Sequence, residues 1–200
     1  AERAVIDENQ LKCNEEFQTN QDEFEAAKPI DTTLDEPIVL CVSAFLEYKR
    51  IDLLIRAMQQ VPASLLVIGQ GPLESTLRNL GQKLLKNKFL LLTGISHEKL
   101  LRYYKTASAF SLPSASSEAF GIVFVEAMAA GLPVVSTDDY NRQKIVGDAG
   151  VLVDPVNSEA YSRALTTVLK TDLGNKPFKQ ARKFTWEKIA DQYEKVLDTL

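Results

Sequence analysis

The 200-residue sequence predicts a doubly wound α/β fold, a parallel sheet of about six strands with helices on both faces. Two observations carry this expectation. Short continuous apolar runs recur along the chain, and such runs mark strands buried on both faces, as a parallel sheet requires. Between successive runs lie stretches whose apolar residues follow helical spacing, the alternation from which right-handed βαβ crossovers are built. Composition agrees: 45% hydrophobic and 25% charged residues are the proportions of a globular protein with enough chain to bury a core.

The elements follow in order. "IVLCVSAF" (38–45) predicts the first strand and "IDLLIRAMQQ" (51–60) the first helix. "SLLVIG" (64–69) is a second strand, and "PLESTLRNLGQKLLK" (72–86) a helix opened by a proline in its first turn. "KFLLLTG" (88–94) and "HEKLLRYYKTA" (97–107) are the third strand and its helix. "AFSLPS" (109–114) is a fourth strand, with a helix from about Phe120 to Ala130. "PVVST" (133–137) is a fifth strand, followed by a short helical "QKIVGD". "GVLVD" (150–154) is a sixth, before the helix "SEAYSRALTTVL" (158–169). The end, "FTWEKIADQYEKVLDTL", reads as an amphipathic helix with Trp186, Ile189, Tyr193 and Leu197 on one stripe. This is a Rossmann-like pattern, without internal repeats or low-complexity tracts.

Residues 1–36 read as an acidic leader ending in the linker "KPIDTTLDEP", and 37–200 as the α/β domain. The leader carries eleven Asp/Glu against three Lys/Arg, a balance of −8, so the whole-chain −4 leaves +4 on residues 37–200. No basic stripe points to nucleic acid, yet a mildly basic body suits a small phosphorylated ligand. No apolar run has the length of a membrane span and no signal peptide opens the sequence. The two cysteines, Cys13 and Cys41, make no disulfide framework, and Cys41 reads as core. A cytoplasmic protein is the expectation.

In doubly wound sheets ligands bind beyond the carboxyl ends of the strands. That rule selects 44–50, 69–73, 94–97, 114–121 and 137–147. Gly69-Gln70-Gly71 follows a strand, but a dinucleotide fingerprint needs glycine where Glu74 stands, which argues against a nicotinamide enzyme. The pair is either a tight turn or a close approach of backbone to phosphate or ribose. Lys49 and Arg50 are either solvated or placed to meet a diphosphate. His97, the one histidine, reads as a capping or packing residue, and one histidine among dispersed acids makes no zinc site.

"SEAFGIVFVEAMAAGLPVV" (117–135) sets two glutamates, Glu118 and Glu126, at the edge of one of the most apolar segments. Glu118 falls in a loop after a strand, and the amides around 120–123 open a helix, a ready anion site. Eight residue steps span up to about 12 Å along a helix, which suits one extended ligand touched twice. It does not suit a hydrolase pair flanking one bond at about 5–10 Å. Two diols separated by a diphosphate, as in a sugar nucleotide, match the pair. The alternative is a loop acid and a first-turn acid stabilised by the helix dipole.

These residues carry a resemblance. "PSASSEAFGIVFVEAMAAGLPVV" is similar to the signature of the family 4 glycosyltransferases, which have a glutamate pair separated by seven residues. "YKRIDLLIRA", "LLVIGQGPL", "LLTGISHEKLLRYYKTASAFSLPS", "IVGDAGVLVDP" and "FTWEKIADQYEKV" follow in family order, from about Val39 to the C-terminus. The resemblance implies the C-terminal, donor-binding half of a GT-B architecture and a retaining, metal-independent transfer from a UDP- or GDP-sugar to a saccharide or lipid-linked acceptor. It implies no cofactor beyond that donor. It implies that Glu118 meets donor-sugar hydroxyls, helped by amides of Ala119, Phe120, Gly121 and Ile122. Val123 would lend its amide to the diphosphate, Lys49 would bind the diphosphate, and Glu126 the ribose hydroxyls. Thr93, Gly94 and Ile95 would meet the base, and Gly69 and Gly71 would border the donor. The sequence departs from the family at Ala44, where an arginine is usual, and at Lys144, where a glutamate is common. Arg50 and Arg142 are the candidates to replace that arginine. An N-terminal acceptor-binding domain, in cis or trans, is the implied partner, and through it the protein could sit at the cytoplasmic membrane face. A non-catalytic nucleotide-sugar-binding partner domain, or an epimerase of the same architecture, are the alternatives.

Overall fold

The computed structural model describes residues 30, 32–115, 118, 120–185, 188–190, 194 and 197. The strands are β1 (Ile38–Val42), β2 (Ser64–Ile68), β3 (Phe89–Leu92), β4 (Ala109–Leu112), β5 (Val134–Thr137) and β6 (Gly150–Val153). All are parallel, in the order β3-β2-β1-β4-β5-β6. The order reverses between β1 and β4, which makes that pair the topological switch point, the place where such sheets bind ligands. β1 and β2 are buried at every position, which is why their sequences are continuous apolar runs rather than alternating ones.

The helices are α1 (Ile51–Ala57), α2 (Glu74–Leu85), α3 (His97–Thr106), α4 (Ile122–Ala129), α5 (Tyr140–Val146), α6 (Ser158–Lys170) and α7 (Lys176–Ala181). α1 packs on α2 and α6, and α4 on α5 and α7, two layers that enclose the sheet. α3 lies against β1 and reaches α4 through Tyr104. The core runs without a break from Ile38 and Leu40 through Leu66, Phe110 and Phe124 to Leu165.

Several boundaries differ from the sequence expectation for local reasons. The helix expected from Pro72 starts at Glu74, because Leu73 and Glu74 spend their amides on Phe45 and Gly71 carbonyls. The helix expected from Phe120 starts at Ile122, with Gly121 as its left-handed cap at φ 74°. α5 begins earlier than "QKIVGD" suggests, because the Asp139 carboxylate accepts from the Arg142 amide and caps the first turn. α7 is an additional element, opened by Pro177 and docked by Gln180, whose amide donates to the last carbonyls of α5 at Lys144 and Ile145.

From the segment read as leader, Leu34 joins the core, and the Ile30 amide donates to Thr106 Oγ1 at 2.8 Å. Of the C-terminal stripe, Trp186 and Tyr193 lie outside the described residues, while Lys188–Ala190 are helical and Leu197 is exposed. No helix among the described residues is long and apolar enough to cross a membrane.

Candidate functional site

Two loops meet at the switch point, one after β1 and one after β4. The first makes a short 3-10 turn, Glu47–Lys49, which ends at Arg50 in the left-handed region (φ 51°, ψ 36°) before α1 begins. The second runs from Pro113 to Gly121. Tyr48 and the Ala115 amide join the loops by a 2.7 Å hydrogen bond. The Lys49 ammonium then meets the Glu118 carboxylate in an ion pair, with both side chains mostly shielded, at 12% and 14% exposure. Lys49 also sits 4.9 Å from the centre of the Tyr48 ring.

Two arginines hold the second loop. Arg50 donates from Nε to the Pro113 carbonyl at 2.9 Å, and from Nη2 to the Ser114 carbonyl and Thr137 Oγ1 at 3.0 and 3.1 Å. Arg142 is 1% exposed. It pairs with Asp139 and donates to Ser114 Oγ at 2.7 Å and the Ala115 carbonyl at 3.1 Å. Both were candidates to face a diphosphate, and the observed partners of both are groups of the protein itself. A planar fork that binds several acceptors at fixed angles suits this loop-clamping geometry. The Nε of Arg142 has no partner, the one such buried side-chain atom among the described residues.

Glu126 lies slightly more than one turn into α4, and only 5% of it is exposed. Tyr104 of α3, fully buried, donates its hydroxyl to Glu126 Oε2 at 2.8 Å. Burial raises the Glu126 pKa above the ordinary carboxylate value, opposed by the Tyr104 hydrogen bond and by the charge of His97. Burial also raises the Tyr104 pKa well above its usual value, reinforced by the neighbouring Glu126. His97 therefore belongs to the surroundings of Glu126, a relation its sequence position at a helix start does not show.

The remaining candidates fall into two groups. The Gly69–Gly71 turn presses on the protein's own backbone, since a Cβ on Gly69 would lie 1.8 Å from the Ser43 carbonyl oxygen. Hydrogen bonds from Phe45 to Gln70 and from Leu73 to Phe45 tie the turn to the loop after β1. Close packing of backbone thus accounts for these glycines. Thr93 and Gly94 are exposed after β3 and Ile95 is half-buried, all on the carboxyl edge. Phe120, 39% exposed, lies edge-on to Phe184 with centroids 5.6 Å apart. Ile122 and Val123 open α4, and Ala119 lies outside the described residues. Ala44 is exposed beside the Lys49 loop. Among the described residues no group of three or more His, Cys, Asp or Glu converges as a metal site would require.

The loops after β1 and β4 thus bring Lys49 and Glu118 together just before α4, the helix that buries Glu126. Residues 22–185 match the family described as "Glycosyl transferases group 1". The chain belongs to that family. Among curated proteins it is 32% identical, over 68% of its own length, to a GDP-mannose-dependent alpha-(1-6)-phosphatidylinositol monomannoside mannosyltransferase of Mycolicibacterium smegmatis. It is 30% identical, over 76% of its length, to a GDP-mannose-dependent monoacylated alpha-(1-6)-phosphatidylinositol monomannoside mannosyltransferase of Corynebacterium glutamicum. It covers 39% and 42% of those two proteins.

Among solved structures, it resembles sucrose-phosphate synthase of Thermosynechococcus elongatus with a TM-score of 0.73 at 28% identity, covering 88% of this chain and 50% of that one. It resembles Anabaena HepE, solved with UDP and glucose, with a TM-score of 0.70 at 22% identity, covering 92% of this chain and 52% of that one. The Rossmann-like sheet is thus that of GT-B glycosyltransferases.

Proposed function

We propose that this chain is the donor-binding domain of a retaining, metal-independent glycosyltransferase that takes a UDP- or GDP-sugar. The observation that carries the reading is the Lys49–Glu118 ion pair in the loops at the β1/β4 switch point, followed directly by α4, which carries Glu126. Lys49 and the amides of Ile122 and Val123 supply positive potential for a diphosphate, doing what a divalent cation would otherwise do. Glu118 receives hydroxyls of the transferred sugar and Glu126 those of the ribose. Arg50 and Arg142 act one step removed, by fixing the loop that carries Glu118. Two relatives named as GDP-mannose-dependent make GDP-mannose the first donor to try. The acceptor side, and with it any contact with a membrane, belongs to a domain beyond these 200 residues.

The test is calorimetric titration of the chain with UDP, GDP, UDP-glucose and GDP-mannose, with and without chelator. Binding that survives the chelator supports the reading, and binding that needs a divalent ion overturns its metal-free part. Ala44 favours one rival, a binding domain without catalysis, because the loop lacks the usual arginine. Labelled donor mixed with the whole protein separates the readings by its product: a glycosylated acceptor, an unchanged donor or an isomerised sugar.

A further inference from the structure

We infer that Tyr104 is a positioning residue, whose hydroxyl holds the Glu126 carboxylate in the orientation that receives the donor's ribose hydroxyls. The inference rests on the donor-binding reading above and adds to it a residue outside both crevice loops.

The geometry begins with the hydrogen bond itself. Tyr104 Oη and Glu126 Oε2 are 2.8 Å apart, joining α3 to α4 across the crevice wall. The phenol has little freedom to leave this contact. Its ring lies 6.0 Å from that of Phe110 on β4, and Phe110 meets Phe124 edge-on at 5.8 Å and 89°. Phe124 is on the same helix as Glu126, so the aromatic chain returns to the element that carries the carboxylate. A glutamate side chain has several rotamers to choose from, and a hydrogen bond from a fixed donor selects among them. With Oε2 committed, the direction in which Oε1 accepts is set before a ligand arrives. Pre-orientation of this kind removes an ordering cost from binding.

Stability alone gives no reason for the pair. A carboxylate and a phenol at 5% and 0% exposure are costlier to bury than apolar side chains of the same shape. The charged or titratable groups acting on the pair include His97, also on α3, and Cys41 on β1. Cys41 is itself buried and its thiol is pushed up to about 12, so it stays neutral.

Tyr104→Phe keeps the ring and removes the hydroxyl. Titrated with UDP and with GDP near neutral pH, the variant is expected to bind about tenfold more weakly than the unaltered chain. The acid side of its binding profile should also move to higher pH, because the lost donor had favoured the carboxylate. Repeating both profiles in a His97→Gln background removes a neighbouring side chain whose charge acts on Glu126 from the comparison. In a Glu126→Ala background, Tyr104→Phe should change nucleotide affinity by less than about twofold, since the group it orients is absent. Phe110→Leu disturbs the same aromatic cluster without touching the hydroxyl, so it should lower the melting temperature and leave the pH midpoint in place. Unchanged affinity and midpoint in Tyr104→Phe, with the unaltered chain binding normally, would overturn the inference. So would a full Tyr104→Phe effect persisting beside Glu126→Ala. If the unaltered chain binds neither UDP nor GDP, the donor-binding reading falls, and this inference falls with it.

Discussion

Lys49 and Glu118 are partners across the two loops, and both are shielded enough from water for the contact to matter. A diphosphate arriving at Lys49 competes with the Glu118 carboxylate and is repelled by it at short range. Glu118→Gln should therefore tighten binding of bare UDP or GDP by about threefold to tenfold, on the order of 1 kcal/mol. The same change should erase the added affinity of the sugar-linked form. Calorimetry on nucleotide and nucleotide sugar reads both effects, and weaker binding of the bare nucleotide would refute the competition. Glu126 poses the opposite problem, because its raised pKa means that the folded chain holds this proton more firmly than the unfolded chain does. Its contribution to stability is then fully present below the ordinary carboxylate pKa and lost as pH rises through the raised value. At neutral pH the carboxylate is a cost to the fold. Glu126→Gln, which can still accept from Tyr104, should raise the melting temperature near pH 7. The gain should shrink on acidification, while nucleotide affinity falls by about tenfold or more. A melting temperature lowered at neutral pH would contradict this trade of stability for recognition.

At the scale of elements, α2 and α5 end alike. Lys86 after α2 has φ 55°, ψ −121°, and Gly147 after α5 has φ 50°, ψ −129°, each amide donating back to a carbonyl four residues earlier. One site has the residue that the conformation favours and the other does not. Lys86→Gly should relieve strain and stabilise the fold by about 1 kcal/mol after the added freedom of the unfolded glycine is counted. A denaturant midpoint that fails to rise would show that local packing at Lys86 outweighs the backbone. The elements also show what the sequence could and could not disclose. The strands were legible because burial on both faces leaves unbroken apolar runs such as "IVLCV". Their spatial order was not, since adjacency of β1 and β4 is a property of the assembled sheet. α7 escaped notice because six residues opening with "KP" are too few to display helical spacing. The glutamate pair and Lys49 stand out as chemical groups at strand ends. Arg142 stands in the sequence only as a candidate to replace the arginine missing at Ala44, and its bonds to Asp139, Ser114 and Ala115 depend on loops that the spacing does not bring together. Tyr104 looks like one more core aromatic on the His97–Leu101–Tyr104 face, and nothing in the spacing connects it to Glu126 across 22 residues.

At the scale of the whole molecule, the described residues form one sheet, whose carboxyl edge would be the wall for the proposed donor, and no second domain for an acceptor is among them. Group transfer needs both substrates held together with water excluded, which a single open edge does not provide. The chain covers 39% and 42% of the two mannosyltransferases described above, so their proteins have room for another domain. Apolar groups lie outward near the site and the C-terminal end: Phe120 is 39% exposed, Phe178 42% and Leu197 65%. An exposed apolar group beside a functional edge, as Phe120 is, suits a contact with a further domain. We therefore expect these 200 residues to bind nucleotide sugar without transferring the sugar. Transfer should appear when the remainder of the enzyme is supplied in cis or in trans. The measurement is release of nucleoside diphosphate, followed together with glycosylated product, using saccharide and lipid-linked acceptors. Sustained turnover by the 200-residue chain alone would mean that the acceptor wall is already present on this sheet edge.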